Sequence, residues 1–376
     1  MKPKTIAKTI NAKMNAWTDT LPEDIKKAIQ NKIVVTGGSI ASMFLKEPVN
    51  DYDLYFKDIK SVILVTQHYC KEWIKTNSEL PSGVSKGIVP MIRLSFSTPD
   101  EMKLSEGEFT FPKSVSYFTH EDTRKMAHKG QVVVHPDDEG ISAILESKSD
   151  WGDVLRAEIF IQSAGVVGNN PDSDEDYQYF EGEEPQRAGE FLENQMQEEK
   201  VYDNRDKGEY KIVFMSANAI TLSDKVQVVI RFFGEPSEIH DTYDFIHATN
   251  YWTRKGGLNT NTRALEALLS RELIYTGSKY PLASIFRTRK FIIRDWKCHV
   301  GNYVKMAMQL NEMDLCDPEV LEEQLTGVDA AYLHEIIRAV KDKRKDDKDF
   351  VFNSAYICEL ADRLMGEDSM NEEEEE

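Results

Sequence analysis

The sequence predicts an α+β fold: a small mixed sheet with flanking helices and a long insertion, followed by a helical C-terminal domain. Three observations predict it. Short β-branched and aromatic runs alternate with amphipathic helical segments over residues 4–75. The stretch 170–206 is acidic, punctuated by Pro and Gly and poor in apolar residues, which interrupts that pattern. From about residue 262 onward the periodicity reads as a succession of helices. A chain of 376 residues exceeds one typical domain, so two domains or one with an insertion are expected.

In chain order, residues 4–18 and 22–31 read as two helices, the second opened by Pro22 with acids behind it. "KIVVTGG" is a β-branched run ended by glycines, hence a buried strand. "SIASMFLK" reads as a helix with Ser39 near its N-terminus, stopped by Pro48. "DYDLYF" is a second strand, whose alternation sets Asp51, Asp53 and Tyr55 on one face and Tyr52, Leu54 and Phe56 on the other. Residues 58–75 follow as an amphipathic helix. "GIVPMIRLSFS", "QVVVHP" and "RAEIFIQSAGVV" look like strands within the region 78–165, and residues 209–234 like two strands around a polar turn. Residues 235–252 then lead into helices expected at 262–275, 282–296, 303–311, 318–325, 329–342 and 354–365. These boundaries give a first domain over 1–252 with an insertion at about 78–206 (acidic loop 170–206), a helical domain over 253–366 and a disordered acidic tail over 367–376.

The net charge of −19 is unevenly placed. Residues 170–206 hold 13 acids against 3 bases, net −10, and residues 367–376 hold 7 acids and no base. Removing −10 and −7 from −19 leaves −2 for the rest, while residues 254–297 carry 10 bases against 3 acids, net +7. An anionic ligand is therefore not excluded by the acidic total. Cys70, Cys298, Cys316 and Cys358 are scattered without zinc spacing, which suits a reducing compartment. No apolar run approaches the roughly 20 residues of a membrane span. "MKPKTIAKTINAKMNAW" lacks the apolar block of a signal peptide, so a cytoplasmic protein with no membrane partner is expected.

Chemistry concentrates in "TGGSIASMFLKEPVNDYDLYF", residues 36–56. Gly37 and Gly38 let backbone N–H groups approach a phosphate without Cβ obstruction, and Ser39 adds a hydroxyl at a helix N-terminus that favours anions. Asp51 and Asp53 project from one side of a strand and can hold one or two divalent cations; oxygen ligands of this type suit Mg²⁺ or Mn²⁺, with substrate phosphates completing the shell. No Lys-Ser/Thr closes the turn, so it is not a P-loop. Taken singly, G-G-S reads as an ordinary turn and D-x-D as a polar loop; the two together, a helix length apart, point to metal-assisted displacement at a phosphate.

These residues resemble the nucleotidyltransferase superfamily related to DNA polymerase β, whose signature is a hydrophobic residue, G-[GS], a spacer, and D-h-[DE]-h. The resemblance covers about residues 30–76. It implies transfer of a nucleoside monophosphate from a nucleoside triphosphate to an acceptor hydroxyl, with the triphosphate on Gly38 and Ser39 and the metals on Asp51 and Asp53. It also implies a third carboxylate on a later strand. Asp244, between Tyr243 and Phe245 in "TYDFIHATNYW", is the first candidate as third metal-binding and catalytic acid; Glu158 and Asp241 are rivals, and a structural role as a cap or as a partner of Arg254 stands beside them. The same stretch is similar to the R-D-F-T-I-N-A segment of tRNA nucleotidyltransferases, without its leading arginines.

Around this core, Arg287, Lys290 and Arg294 fall at i, i+3 and i+7, one face of a helix, with Arg289 off the stripe. They form either a solvated face or a phosphate clamp for the triphosphate or an acceptor backbone. His240 and His247 read as ordinary polar histidines. Asn250, Tyr251 and Trp252 read equally as core residues or as the lining of a base pocket. An RNA or DNA 3′ end is the first acceptor expected, with a protein or small-molecule hydroxyl next. A catalytically inactive binding or assembly protein on the same fold is the reading from a different class.

Overall fold

The computed structural model describes residues 1–78, 88–96, 131–134, 136, 154–163, 208–216, 218–315, 320 and 324. The chain divides into two compact units. One takes in the described residues up to 240 together with 248–261; the other takes in 241–247 and the described residues from 262 onward.

In the first unit, α1 (Pro3–Thr18) and α2 (Glu23–Ile29) lead into β1 (Ile33–Thr36), α3 (Gly38–Leu45), β2 (Tyr52–Phe56) and α4 (Ile59–Ser78). Then come β3 (Ile88–Phe96), β4 (Gln131–Val134), β5 (Val154–Ser163), β6 (Ile212–Met215), β7 (Ala219–Leu222), β8 (Val226–Phe233), α5 (Pro236–His240), β9 (Tyr251–Thr253) and β10 (Gly257–Asn259). Seven strands form a mixed sheet in the order β10-β9-β1-β2-β8-β7-β6, with β2 and β8 parallel and the other pairs antiparallel. β4-β3-β5 form a separate antiparallel sheet. The predicted class, α+β with a mixed sheet and flanking helices, is the class observed.

The alternation of each strand gives the large sheet two chemically different faces. Trp252, Val35, Leu54, Val228 and Ile220 are successive partners in one row across it, and none is more than 2% exposed. They join one core with Ile6, Ile10, Met14 and Trp17 of α1, Ile40 and Met43 of α3, and Val62 and Ile63 of α4. Full burial of each large side chain stabilises the fold by about 1.5–3 kcal/mol. Trp17 Nε1 donates to Tyr69 Oη at 2.8 Å, so the polar tip of the largest core ring is satisfied. α4 is started by Asp58, which accepts from Ser61 N–H and Ser61 Oγ at 2.9 and 2.8 Å.

The adjacent row on the opposite face is polar. Asn259 pairs with Tyr251, Tyr251 with Thr36, Asp53 with Gln227, and Gln227 with Thr221. The β1–β2 register, Val35 with Leu54, continues to set Thr36 beside Asp53 and completes that row.

Four local expectations need correction, the last two of them in the second unit. Residues 209–234 form three strands rather than two. The three-residue turn Ser223–Lys225 joins β7 to β8, with Asp224 and Lys225 both at left-handed φ (59° and 62°). Residues 251–259, expected to lead into helices, form the β9–β10 hairpin on the free edge of β1. The helix expected over 282–296 ends at Ile292: Asp295 turns to φ 61° and Trp296 N–H donates back to Phe291 O at 3.0 Å, burying the Trp296 ring.

The second unit contains α6 (Thr262–Ser270), β11 (Glu272–Leu273), α7 (Pro281–Ile292), β12 (Lys297–Cys298) and α8 (Val300–Leu310). The helix expected over 262–275 thus stops at Ser270 and gives way to the β11–β12 parallel pair. Phe245 bridges to Tyr275 and clusters with His247, Phe291 and Trp296. The loop 170–206, the helices expected at 329–342 and 354–365 and the tail 367–376 lie outside the described residues, as does 318–325 apart from 320 and 324.

Candidate functional site

The turn after β1 is built around a conformation that a side chain resists. Gly37 has φ 90° and ψ −151°, a region essentially confined to glycine, and its N–H donates to Ala248 O at 3.1 Å. α3 then begins at Gly38, where a Cβ would meet nothing within 4 Å, so the backbone at the helix start faces open space. Ser39 is only 3% exposed, and its Oγ has no hydrogen-bond partner. A buried, unsatisfied hydroxyl costs about 1–3 kcal/mol. At a helix N-terminus, where N–H groups lack intrahelical partners, it fits an anion that would accept from it.

The antiparallel β1–β2 pairing brings the end of β1 beside the beginning of β2. The G-G-S turn and the D-x-D pair therefore lie at one end of the sheet, as their spacing requires. Asp51 is exposed just before β2, and Asp53 is partly buried within it. Burial and then the Asp51 carboxylate push Asp53 up to about 7, well above the ordinary 3.8. Two carboxylates that resist ionising together form a site where a divalent cation replaces the shared proton. Among the described residues no group of three or more His, Cys, Asp or Glu side chains assembles. The donor set is this carboxylate pair, which fits a hard cation that keeps waters or substrate phosphate oxygens as its other ligands.

Asp53 pairs with Gln227, and the β1–β2 register carried one residue beyond Val35–Leu54 sets Thr36 on its other side. Thr36 is fully buried; its Oγ1 lies 2.9 Å from His240 Nε2 and 3.0 Å from Asn250 O. His240 lies 204 residues from Thr36 in sequence, and nothing local in either segment signals the contact. His240, Thr249, Tyr251, Asn259 and Asn261 contribute to a cleft of about 640 Å³ on the β9–β10 side of the sheet. Of the three residues weighed for a base pocket, Tyr251 lines this cleft, Trp252 is buried in the core, and Asn250 is buried with its Oδ1 accepting from Asn261 N–H at 2.9 Å.

Asp244, Arg287, Lys290 and Arg294 lie in the second unit. Asp244, 8% exposed, accepts from Ser278 Oγ at 2.8 Å and Arg287 Nη2 at 3.2 Å, with Arg287 Nε closing an ion pair. Arg254, weighed as its structural partner, instead donates to Gln30 O and Asn15 Oδ1 in the first unit. Arg287 is thus committed to Asp244, while Lys290 on α7 and Arg294 beyond its end are exposed. Asp241 is exposed after α5, and Glu158 lies on β5 opposite Arg93 in the three-stranded sheet. No described helix is long and apolar enough to cross a membrane.

Compared with known proteins, residues 8–271 match the family described as Gabija anti-defense 2 family protein. No curated protein and no solved structure matches the chain.

Proposed function

The chain belongs to the Gabija anti-defense 2 family, and on that premise we propose that it counters the defence named in that description as a metal-dependent nucleotidyltransferase. The observation that carries this reading is the buried, unpartnered Ser39 Oγ at the start of α3, beside the Asp51–Asp53 pair at the same end of the sheet. The backbone N–H groups of Gly38 and Ser39, with the Ser39 hydroxyl, hold the triphosphate. Gly37 sets the turn that aims them. Asp51 and Asp53 hold Mg²⁺ or Mn²⁺, two ions when the substrate is bound. The metal supplies activation of the acceptor hydroxyl and screening of the departing pyrophosphate. In the reaction the acceptor oxygen bonds to the α-phosphorus, the α–β bridging bond breaks, pyrophosphate leaves, and the hydroxyl proton passes to solvent.

Asp244 is assigned a structural part here, because its carboxylate is already engaged by Arg287 and Ser278. The acceptor proposed first is a nucleic-acid 3′ end, RNA foremost, because exposed Lys290 and Arg294 belong to the stretch of net charge +7. A hydroxyl on a protein component of the opposing defence is the second acceptor. Action in the cytoplasm follows from the same reading. One observation favours a non-catalytic relative instead: Asp53 pairs with Gln227 and the β1–β2 register sets Thr36 on its other side, so neither neighbour in the row is a third carboxylate. On that reading the chain captures a partner or a nucleotide without turnover.

Calorimetry with each nucleoside triphosphate separates the readings. The proposal expects binding that requires Mg²⁺ and weakens about tenfold or more in Ser39→Ala, the loss of one charge-assisted hydrogen bond. Absence of metal-dependent binding to any triphosphate would overturn it.

A further inference from the structure

The cleft beside β9 and β10 has a lining unlike the phosphate turn. It is formed by Glu235–Ser237 and His240, by Thr249 and Tyr251, and by Asn259–Asn261. Among the described residues no Lys or Arg lines it, and the one charged side chain that does, Glu235, is an acid, which disfavours a phosphate there. Beyond the Glu235 carboxylate, which Lys57 pairs at 2.6 Å, its donors and acceptors are hydroxyls, amides and one imidazole, the set that recognises an uncharged ring bearing hydroxyl and amide-like edges. A volume of about 640 Å³ lies within the roughly 300–1,000 Å³ typical of small-molecule sites.

The walls are fixed in place. Asn261 Nδ2 donates to Thr249 Oγ1 at 3.2 Å, and Asn261 N–H donates to Asn250 Oδ1. The Thr36 hydroxyl reaches backbone oxygens at Ala248 and Asn250 and lies 2.9 Å from His240 Nε2, a contact that holds the imidazole in the wall. Tyr251 is half-buried, with its ring held against His240 at 5.7 Å between centroids. That leaves a partly exposed aromatic face on a rigid strand, a stacking platform worth about 1–3 kcal/mol per base.

Position ties the cleft to the carboxylates. Tyr251, Thr36 and Asp53 are neighbours in one row on one face of the sheet, so Tyr251 stands two strand spacings, about 10 Å, from Asp53. A nucleoside reaches across that distance.

We propose that this cleft binds the nucleoside part of a substrate, its base on Tyr251 and its ribose hydroxyls among the asparagine and threonine side chains, with the reacting end directed toward Asp53. The inference rests on the nucleotidyltransferase reading, and its test is arranged to fail separately. Two sources of the nucleoside are possible: the incoming triphosphate, or the terminal residue of an acceptor. Binding of the four ribonucleosides to the full chain is measured by ligand-observed NMR without metal, with inorganic phosphate as a control. At least one ribonucleoside should bind saturably, and inorganic phosphate should not displace it. Affinity should fall about tenfold or more in Tyr251→Ala, survive in Tyr251→Phe, and fall in Asn259→Ala; circular dichroism confirms that each variant is folded.

Competition with the metal-bound triphosphate identifies the source: displacement assigns the cleft to the triphosphate's own nucleoside, and simultaneous binding assigns it to the acceptor. No saturable nucleoside binding, or binding indifferent to both Tyr251→Ala and Asn259→Ala, overturns this inference even if metal-dependent triphosphate binding persists. Nucleoside binding without metal-dependent triphosphate binding leaves the cleft standing and overturns the reading of the phosphate turn.

Discussion

His247 should make the second unit sensitive to mild acid, by an amount that can be worked out. It is 3% exposed, its Nδ1 has no hydrogen-bond partner, and it is enclosed by Phe245, Phe291 and Trp296 with ring centroids 4.5–6.1 Å away. Burial lowers its pKa from the ordinary 6.5 to about 4, so the folded chain resists protonating it. The unfolded chain binds the proton first as pH falls below 6.5. Stability is therefore complete above that value, declines between 6.5 and 4, and is fully lost below the folded value. Linkage gives a loss of about 2 kcal/mol at pH 5 and about 3 kcal/mol at pH 4.

The perturbation is His247→Leu, which removes the titrating group at similar volume. The assay is urea unfolding at pH 7.5, 6 and 5, read by tryptophan fluorescence, to which Trp296 beside the imidazole contributes. Carboxylates also contribute to acid instability. At Asp58 burial raises the pKa, but bonds from Ser61 and Lys32 outweigh it and leave a net lowering. Both proteins share such groups, so the difference between them isolates His247. The variant should equal or exceed the parent at pH 7.5, because an unsatisfied ring nitrogen is gone, and should exceed it by about 2 kcal/mol more at pH 5. Parallel stability curves over that range would refute the reasoning.

Three other substitutions test the sites directly. Gly37→Ala forces a side chain into φ 90°, ψ −151°, and should cost about 1–3 kcal/mol in unfolding free energy while abolishing triphosphate binding measured by calorimetry. Arg287→Met leaves the Asp244 carboxylate with Ser278 alone; the usual 3–5 kcal/mol for breaking a buried pair is reduced by the 31% exposure of Arg287, so about 2 kcal/mol is expected in urea, with partial recovery in the double variant Asp244→Asn/Arg287→Met. Asp53→Asn removes a carboxylate whose ionisation is resisted by burial and then by Asp51; metal-free protein at pH 8 should gain up to about 4 kcal/mol, seen as a higher Tm, while metal binding by calorimetry is lost.

The site was legible where its chemistry is local. Gly37, Gly38, Ser39, Asp51 and Asp53 occupy one short stretch, and the alternation of β2 already separated the aspartates from Leu54 and Phe56. The same periodicity located α1, β1, α3, β2 and α4, whose apolar positions form the core. What escaped the sequence depends on distant partners. Three-residue β9 is too short to show a period, and it becomes a strand only because β1 offers a free edge. The turn at Asp224 and Lys225 lacks the glycine that would have marked it. Arg287 falls in a helical stripe of bases, but its partner is set by tertiary packing: Asp244 lies 43 residues away in sequence. The contact of His240 with Thr36 has the same origin.

The central claim is tested most directly by a transfer assay. Full-length protein is incubated with each α-³²P-labelled nucleoside triphosphate, Mg²⁺ or Mn²⁺, and acceptors in separate reactions: RNA, single-stranded DNA, and protein. Asp51→Ala and Asp53→Ala run alongside. The account predicts metal-dependent labelling of one acceptor class, release of pyrophosphate, and loss of both in each variant that still folds. Labelling that persists in both variants, or no labelling of any acceptor by the folded parent with either metal, would contradict it.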